Sequence, residues 1–244
     1  MKRFFKWLSI TLVVLIIIIV LVGGYFGLVP GVSTLFGSDK PKDLGVTYTE
    51  ADRLSGRAKA GWEVTELQPG LPLEESYIST GQNAVDASFN ERELTAWANN
   101  PWIYFPLSDC QVRVNDDNTV EFSGKLNIGM LRDWIDAMGV AEEYSELIDD
   151  YLRWFVWGNP PFYIKLSASV ANGQVINPQI YSAQVGRISV PQSLIESGLG
   201  ELVGLVEWKL NNIDGFHVET AEVVDGGIRF VGTMPAAVSR SVEE

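Results

Sequence analysis

Thiols and imidazoles are almost missing from this chain: one cysteine, Cys110, and one histidine, His217, among 244 residues. A single cysteine excludes an intramolecular disulfide. A single imidazole removes most metal-site and catalytic-triad designs. No G-x-S-x-G, P-loop or H-E-x-x-H segment occurs either. Cations are scarce, with 18 Lys and Arg against 31 Asp and Glu and a formal net charge of −13. Lys2, Arg3 and Lys6 all lie in the first thirty residues, which hold no carboxylate, so beyond residue 30 fifteen cations face 31 carboxylates. That balance excludes a nucleic-acid partner, whose phosphates need a basic face. It also excludes charge-driven docking on anionic lipid.

The strongest positive signal is the uncharged stretch from Leu8 to Leu28. A helix rises about 1.5 Å per residue, so this stretch matches a bilayer core of roughly 30 Å. Trp7 at one end and Tyr25 with Phe26 at the other suit the two interfaces. A cleaved signal peptide has a shorter apolar region, about 7–15 residues, and an A-x-A-like site that is absent here. The sequence therefore predicts a cytoplasmic tail over 1–7 and an uncleaved transmembrane anchor over 8–28. The basic flank Lys2, Arg3 and Lys6 predicts a single-pass plasma-membrane protein with its amino terminus inside and the rest outside. Residues 29–46, rich in Gly, Ser, Asp and Pro, read as a flexible linker.

Residues 47–236 read as one extracytoplasmic domain, with 237–244 as a tail. Thr49 with Asp52 and Asn90 with Glu93 have the spacing of helix-opening caps. Residues 63–83 read as irregular, broken by Pro69-Gly70 and Pro72. Val85, Ala87 and Phe89 alternate as one face of a strand. Three hairpins follow, turning at Asp116-Asp117-Asn118, at Asn172-Gly173 and at Asp225-Gly226-Gly227. Helices are predicted over 130–138, over 141–157 with an acidic outer face, and after Val190 with Pro191 in the first turn. The last carries the apolar stripe Leu194, Ile195, Leu199, Leu202, Val203, Val206 and Leu210, with Gly198, Gly200 and Gly204 among it. Helices between antiparallel hairpins define an α+β class.

The chemistry-bearing residues point to no reaction. His217 alternates with Phe216 and Val218 and so faces solvent. Cys110 shares a face with Val112 and Val114 and reads as a small buried apolar group. Asp116-Asp117 sits in a turn, where Asp serves the backbone, and Asp149-Asp150 on an acidic helix face. The aromatics say more. Trp102 and Phe105 lie in a proline-flanked apolar loop, and Trp154 and Trp157 lie off the apolar stripe of their helix. Core packing and an apolar functional surface both remain open for them.

The segment Val185-Gly186-Arg187-Ile188-Ser189-Val190-Pro191, the helix from Leu194 to Leu210 and the final hairpin ending Gly232 to Pro235 resemble a known pattern. So does Phe89-Asn90-Glu91-Arg92-Glu93-Leu94. Together they are similar to membrane-anchored bacterial envelope proteins of the YpmS-like and LmeA-like kind, over residues 84–235. That resemblance implies a tubular lipid-binding-like domain: a curved antiparallel sheet of hairpins with a long amphipathic helix packed on it and an apolar groove for an acyl chain. The expected function is a membrane-tethered binding module for a lipid or lipid-linked envelope precursor, without catalysis, cofactor or metal. The alternative is an envelope scaffold presenting an aromatic surface to another protein. The ligand-binding candidates are Trp102, Phe105, Trp154, Trp157, Leu199, Gly200, Val203 and Val206.

Overall fold

The computed structural model describes residues 2–137 and 159–243, with the side chains of the first helix described from residue 12 on. The apolar run forms α1 (Lys2–Tyr25). This helix stops short of the expected Leu28 because Gly27 adopts φ 86°. Gly27 N–H then donates to Gly24 O at 3.0 Å and Leu28 N–H to Gly23 O at 2.9 Å, the paired bonds of a glycine C-cap. Among the described residues no helix is long and apolar enough to cross a membrane.

The expected flexible linker is structured. Its α2 (Val32–Phe36) folds back against α1, and a Cβ on Gly24 would overlap Val32. Leu44 and Val46 are buried, and their N–H groups donate to Gln111 Oε1 at 2.8 and 3.3 Å.

The chain continues through α3 (Glu50–Ala60), β1 (Glu63–Leu67), a 3-10 turn (Leu73–Glu75), β2 (Tyr77–Thr80), β3 (Asn83–Asn90) and α4 (Glu91–Ala98). Next come β4 (Leu107–Val114), β5 (Val120–Leu126), α5 (Ile128–Ala137), β6 (Pro161–Ala171), β7 (Gln174–Val185) and β8 (Ile188–Ser189). The last elements are α6 (Gln192–Asn211), β9 (His217–Val224), β10 (Gly227–Met234) and β11 (Ala237–Ser241). Both caps read from the sequence are complete capping boxes, at Thr49/Asp52 and at Asn90/Glu93.

The class is mixed α+β. A curled antiparallel half-barrel runs in the order β3-β10-β9-β6-β5-β4, with β7 on the other edge of β6 and α6 packed on it. Register shifts at Val231/Gly232 and along β6/β7 bend the sheet, as bulges do. The core joins Val85, Phe89, Val218, Phe230 and Met234 of this sheet to Ala60, with Trp62 and Trp97 packed against it.

Two expectations are corrected here. Residues 63–83 are not irregular, and 237–241 are not a tail: β11 is the centre of a second sheet, parallel to β1 and antiparallel to β2. Its Val238, Arg240 and Ser241 are buried. The helix expected over 141–157 lies outside the described residues.

The three hairpins form where their turns predict. At the second, Asn172 and Gly173 adopt φ 50° and 73°, the positive values a two-residue turn requires. A Cβ on Gly173 would also overlap the Asn211 amide. Gly173→Val is therefore expected to cost about 1–2 kcal/mol of backbone strain alone. For a chain of this size that lowers the melting temperature by roughly 2–8 °C. An unchanged transition in thermal denaturation would show that the turn does not hold the register.

Candidate ligand-binding site

Helix α6 starts at Pro191, whose fixed φ suits a helix entrance, and it is held at both ends. Before it, Val190 N–H donates to Ala183 O at 2.8 Å. At its far end, Glu207 Oε1 accepts from Val175 N–H at 2.8 Å, and Asn211 Nδ2 donates to Gly173 O at 3.1 Å. The middle of the helix spans a gap. There Leu199, Leu202, Val203 and Val206 face Leu166, Val170, Val175, Pro178 and Ile180 of β6 and β7 across a cavity of about 170 Å³. Its walls present apolar surface only. Leu202 and Val206 remain exposed at its rim, with Leu194 further along the same helix.

A second cleft of about 520 Å³ shares Pro178, Gln179, Ile180 and Leu199 with the cavity and adds Tyr181, Gln192, Ile195 and Glu196. Tyr181 Oη donates to Gln179 Oε1 at 2.8 Å. The two spaces thus place an apolar end beside a polar end whose one ionised group is Glu196.

The turn after β7 ties this region to α1. Arg187 N–H donates to Phe26 O at 3.0 Å and its Nη2 donates to Phe36 O at 2.8 Å. The guanidinium also lies 4.9 Å from the Tyr25 ring centroid. A Cβ on Gly186 would overlap Phe26 O, so glycine is what permits the close approach.

Of the residues expected at the site, Leu199, Val203 and Val206 come together at the cavity. Gly200 does not: it is exposed, and a Cβ there would meet open space. Trp102 does not either, being 3 % exposed, with its Nε1 donating to Ser76 Oγ at 3.1 Å and its ring 5.0 Å from Tyr77. It pairs as a bridge with Val242, so it packs the small sheet. Phe105 is half-buried in the same loop. Trp154 and Trp157 lie outside the described residues. The β6–β7 wall is not among the residues expected at the site, although Leu166, Ala168 and Val170 alternate on one face.

The two scarce reactive residues are accounted for. Burial, and then the Asp109 charge, push the Cys110 thiol up to about 12, so it stays protonated and weakly nucleophilic at neutral pH. His217 is exposed on β9. Asp117 is engaged by Thr119 and by Lys165 Nζ at 3.1 Å, which hold its carboxyl below the usual range. No group of three His, Cys, Asp or Glu is placed to hold a metal ion among the described residues.

Comparison with protein-family models, with curated proteins and with solved structures finds no match.

Proposed function

We propose that this chain is a membrane-tethered module that shelters an acyl segment of a lipid or lipid-linked envelope precursor, without catalysing a reaction. The observation that carries this reading is the wholly apolar cavity under α6. Engineered apolar cavities of about 150 Å³ stay dry and take up benzene. A space of about 170 Å³ suits the end of an acyl chain, with further methylenes along the exposed Leu202 and Val206. The polar head would rest in the adjoining cleft among Gln179, Tyr181 and Gln192. With Glu196 as its one ionised wall group, binding depends little on salt.

Membrane anchorage belongs to the same proposal. Leu12 to Ile19, Leu21 and Val22 of α1 all lie exposed. Such a surface finds its favourable solvent in a bilayer. The basic flank of α1 puts the amino terminus in the cytoplasm and the domain outside. Protease added to intact protoplasts should then remove the domain, and full protection would overturn this placement. The resemblance to the YpmS-like and LmeA-like proteins adds to the reading, since Gly186 and Arg187 of the resembling segment meet the end of α1.

The test is photo-cross-linking. The full chain, in phosphatidylcholine nanodiscs, is exposed to a phospholipid with a diazirine at the acyl terminus. The proposal expects cross-linked peptides from 166–180 and 199–206. Cross-links confined to α1 would refute acyl binding by the domain.

A further inference from the structure

Three segments close on one another where α1 ends. The β7–β8 turn donates from Arg187 N–H to Phe26 O and from Arg187 Nη2 to Phe36 O. The segment holding α2 returns to α1 through Ser38 Oγ, which donates to Gly24 O and, at 3.1 Å, to Ser33 O. Ser33 Oγ donates to Val29 O at 2.7 Å. Both serines are buried. A Cβ on Gly27 would overlap Ser38 O and come within 3.1 Å of Gly186 Cα. Gly24, Phe26 and Gly27 lie at the end of the uncharged stretch from Leu8 to Leu28. The carbonyls of Gly24, Phe26 and Val29 therefore accept from the protein itself, as backbone does where water is scarce.

Around this joint apolar side chains stand in the open. Leu35 is 80 % exposed, and Ile188, next to Arg187, is 40 % exposed. Phe36 is exposed too, with its ring 6.0 Å from that of Tyr25. Charge is withdrawn from the same place. Residues 26–38 and 166–195 together hold one ionised side chain, Arg187, in a chain that is 20 % charged. That guanidinium lies over the Tyr25 ring, a pairing of the kind found at a membrane–water interface. An apolar patch that continues from the exposed face of α1, and carries no carboxylate in an acidic chain, has lipid as its fitting neighbour.

The geometry points to a membrane-docking face on the domain. Leu35, Phe36 and Ile188 enter the interfacial layer of the outer leaflet, and the joint at Gly186 and Arg187 holds the domain against the bilayer in one orientation. This rests on the membrane anchorage proposed above. The partner is the neutral, apolar–interfacial layer of the bilayer, because the patch offers anionic headgroups a single cation. The cleft lined by Gln192 and Ile195 begins within a few residues of Ile188, next to this face.

The experiment places a bimane label at Leu35→Cys, Ile188→Cys or Ile18→Cys in the full chain, reconstituted in phosphatidylcholine nanodiscs. Cys110 is 3 % exposed and stays unlabelled. Quenching is read with nitroxide-bearing phosphatidylcholine and with iodide in the water. The lipid nitroxide should dim the labels at Leu35 and Ile188 nearly as strongly as the one at Ile18, while iodide leaves all three bright. Gly186→Val forces a side chain against Phe26 O. It should expose the Ile188 label to iodide while Leu35 keeps its lipid contact, and an unchanged Ile188 label in that variant would overturn the role of the joint. The three labels in the otherwise unaltered chain decide the docking whether or not that variant folds. Iodide reaching Ile188 while the lipid nitroxide still dims Ile18 overturns the docking and leaves the anchorage standing. An Ile188 label that neither quencher reaches means that protein covers the patch, which overturns the docking as well. No lipid quenching even at Ile18 removes the anchorage and the docking with it.

Discussion

Val203→Trp is expected to abolish acyl uptake by the domain while the domain stays folded. Val203 is half-buried at the middle of α6, and its side chain lines the cavity opposite the β6–β7 wall. An indole placed there fills the space into which the acyl end would go. Each methylene excluded forfeits about 0.8 kcal/mol, so losing four or five removes roughly 3–4 kcal/mol, more than a hundredfold in affinity. If the cavity is instead an imperfectly packed core, the same indole overpacks it and costs about 1–3 kcal/mol of stability. Gly200→Ala supplies the control. Its Cβ would point into open space. It should leave uptake unchanged and stabilise the helix by up to about 1 kcal/mol. Cross-linking yield and melting temperature, measured on both variants, separate the cases. Undiminished uptake in Val203→Trp would place the ligand elsewhere.

Glu93→Gln is expected to be the most damaging single polar substitution. This carboxylate is 1 % exposed and accepts from Ser55 Oγ at 2.6 Å, Lys59 Nζ at 2.7 Å and Asn90 N–H at 2.9 Å. It thereby closes the α4 capping box and ties α4 to α3. Removing its charge leaves Lys59 without its ion-pair partner, though still donating to Ser88 O at 2.8 Å, and weakens each bond, at a cost of about 3 kcal/mol. For this size of chain that corresponds to roughly 6–12 °C in melting temperature. Burial acts to raise the Glu93 carboxyl, but the bonds from Lys59, Ser55 and the Asn90 N–H outweigh it and hold the group below its ordinary 4.5. A depressed carboxyl stabilises the fold above the unfolded value, and that contribution drains away as pH falls through the folded one. The wild-type chain should therefore lose stability from pH 4.5 downward, and the Gln variant should show a shallower acid limb. Matching acid limbs in the two proteins would show that Glu93 does not set this dependence.

Much of the fold was legible because its signals are local. Asn172-Gly173 fixes a turn through backbone sterics, and Thr49/Asp52 and Asn90/Glu93 fix helix starts within four residues. The alternation of Val85 and Phe89 records a buried face. Leu199, Val203 and Val206 were found because 3.6-residue periodicity puts them on one side of a helix. The same periodicity sets Gly200 about 100° round the helix from Leu199, and the structure leaves it on the exposed side.

The small sheet escaped reading for a different reason. Strand β1 pairs with β11, and Glu63 meets Ala237 across most of the domain's length. A polar segment such as Glu63–Leu67 carries no local mark of a partner so remote. For Trp102 the sequence left core and surface both open, and Ser76, Tyr77 and Val242 close around it. The sequence by itself determined the α+β class, the hairpin turns, the helix caps and the apolar stripe of α6, since each depends on residues within a few positions of one another. Only the tertiary structure decided that α6 bridges an apolar cavity, that Arg187 holds the end of α1, and that Arg240 is buried at the centre of the small sheet. Those juxtapositions come from long-range pairing and sheet curvature, which bring distant residues together without leaving a pattern in either segment.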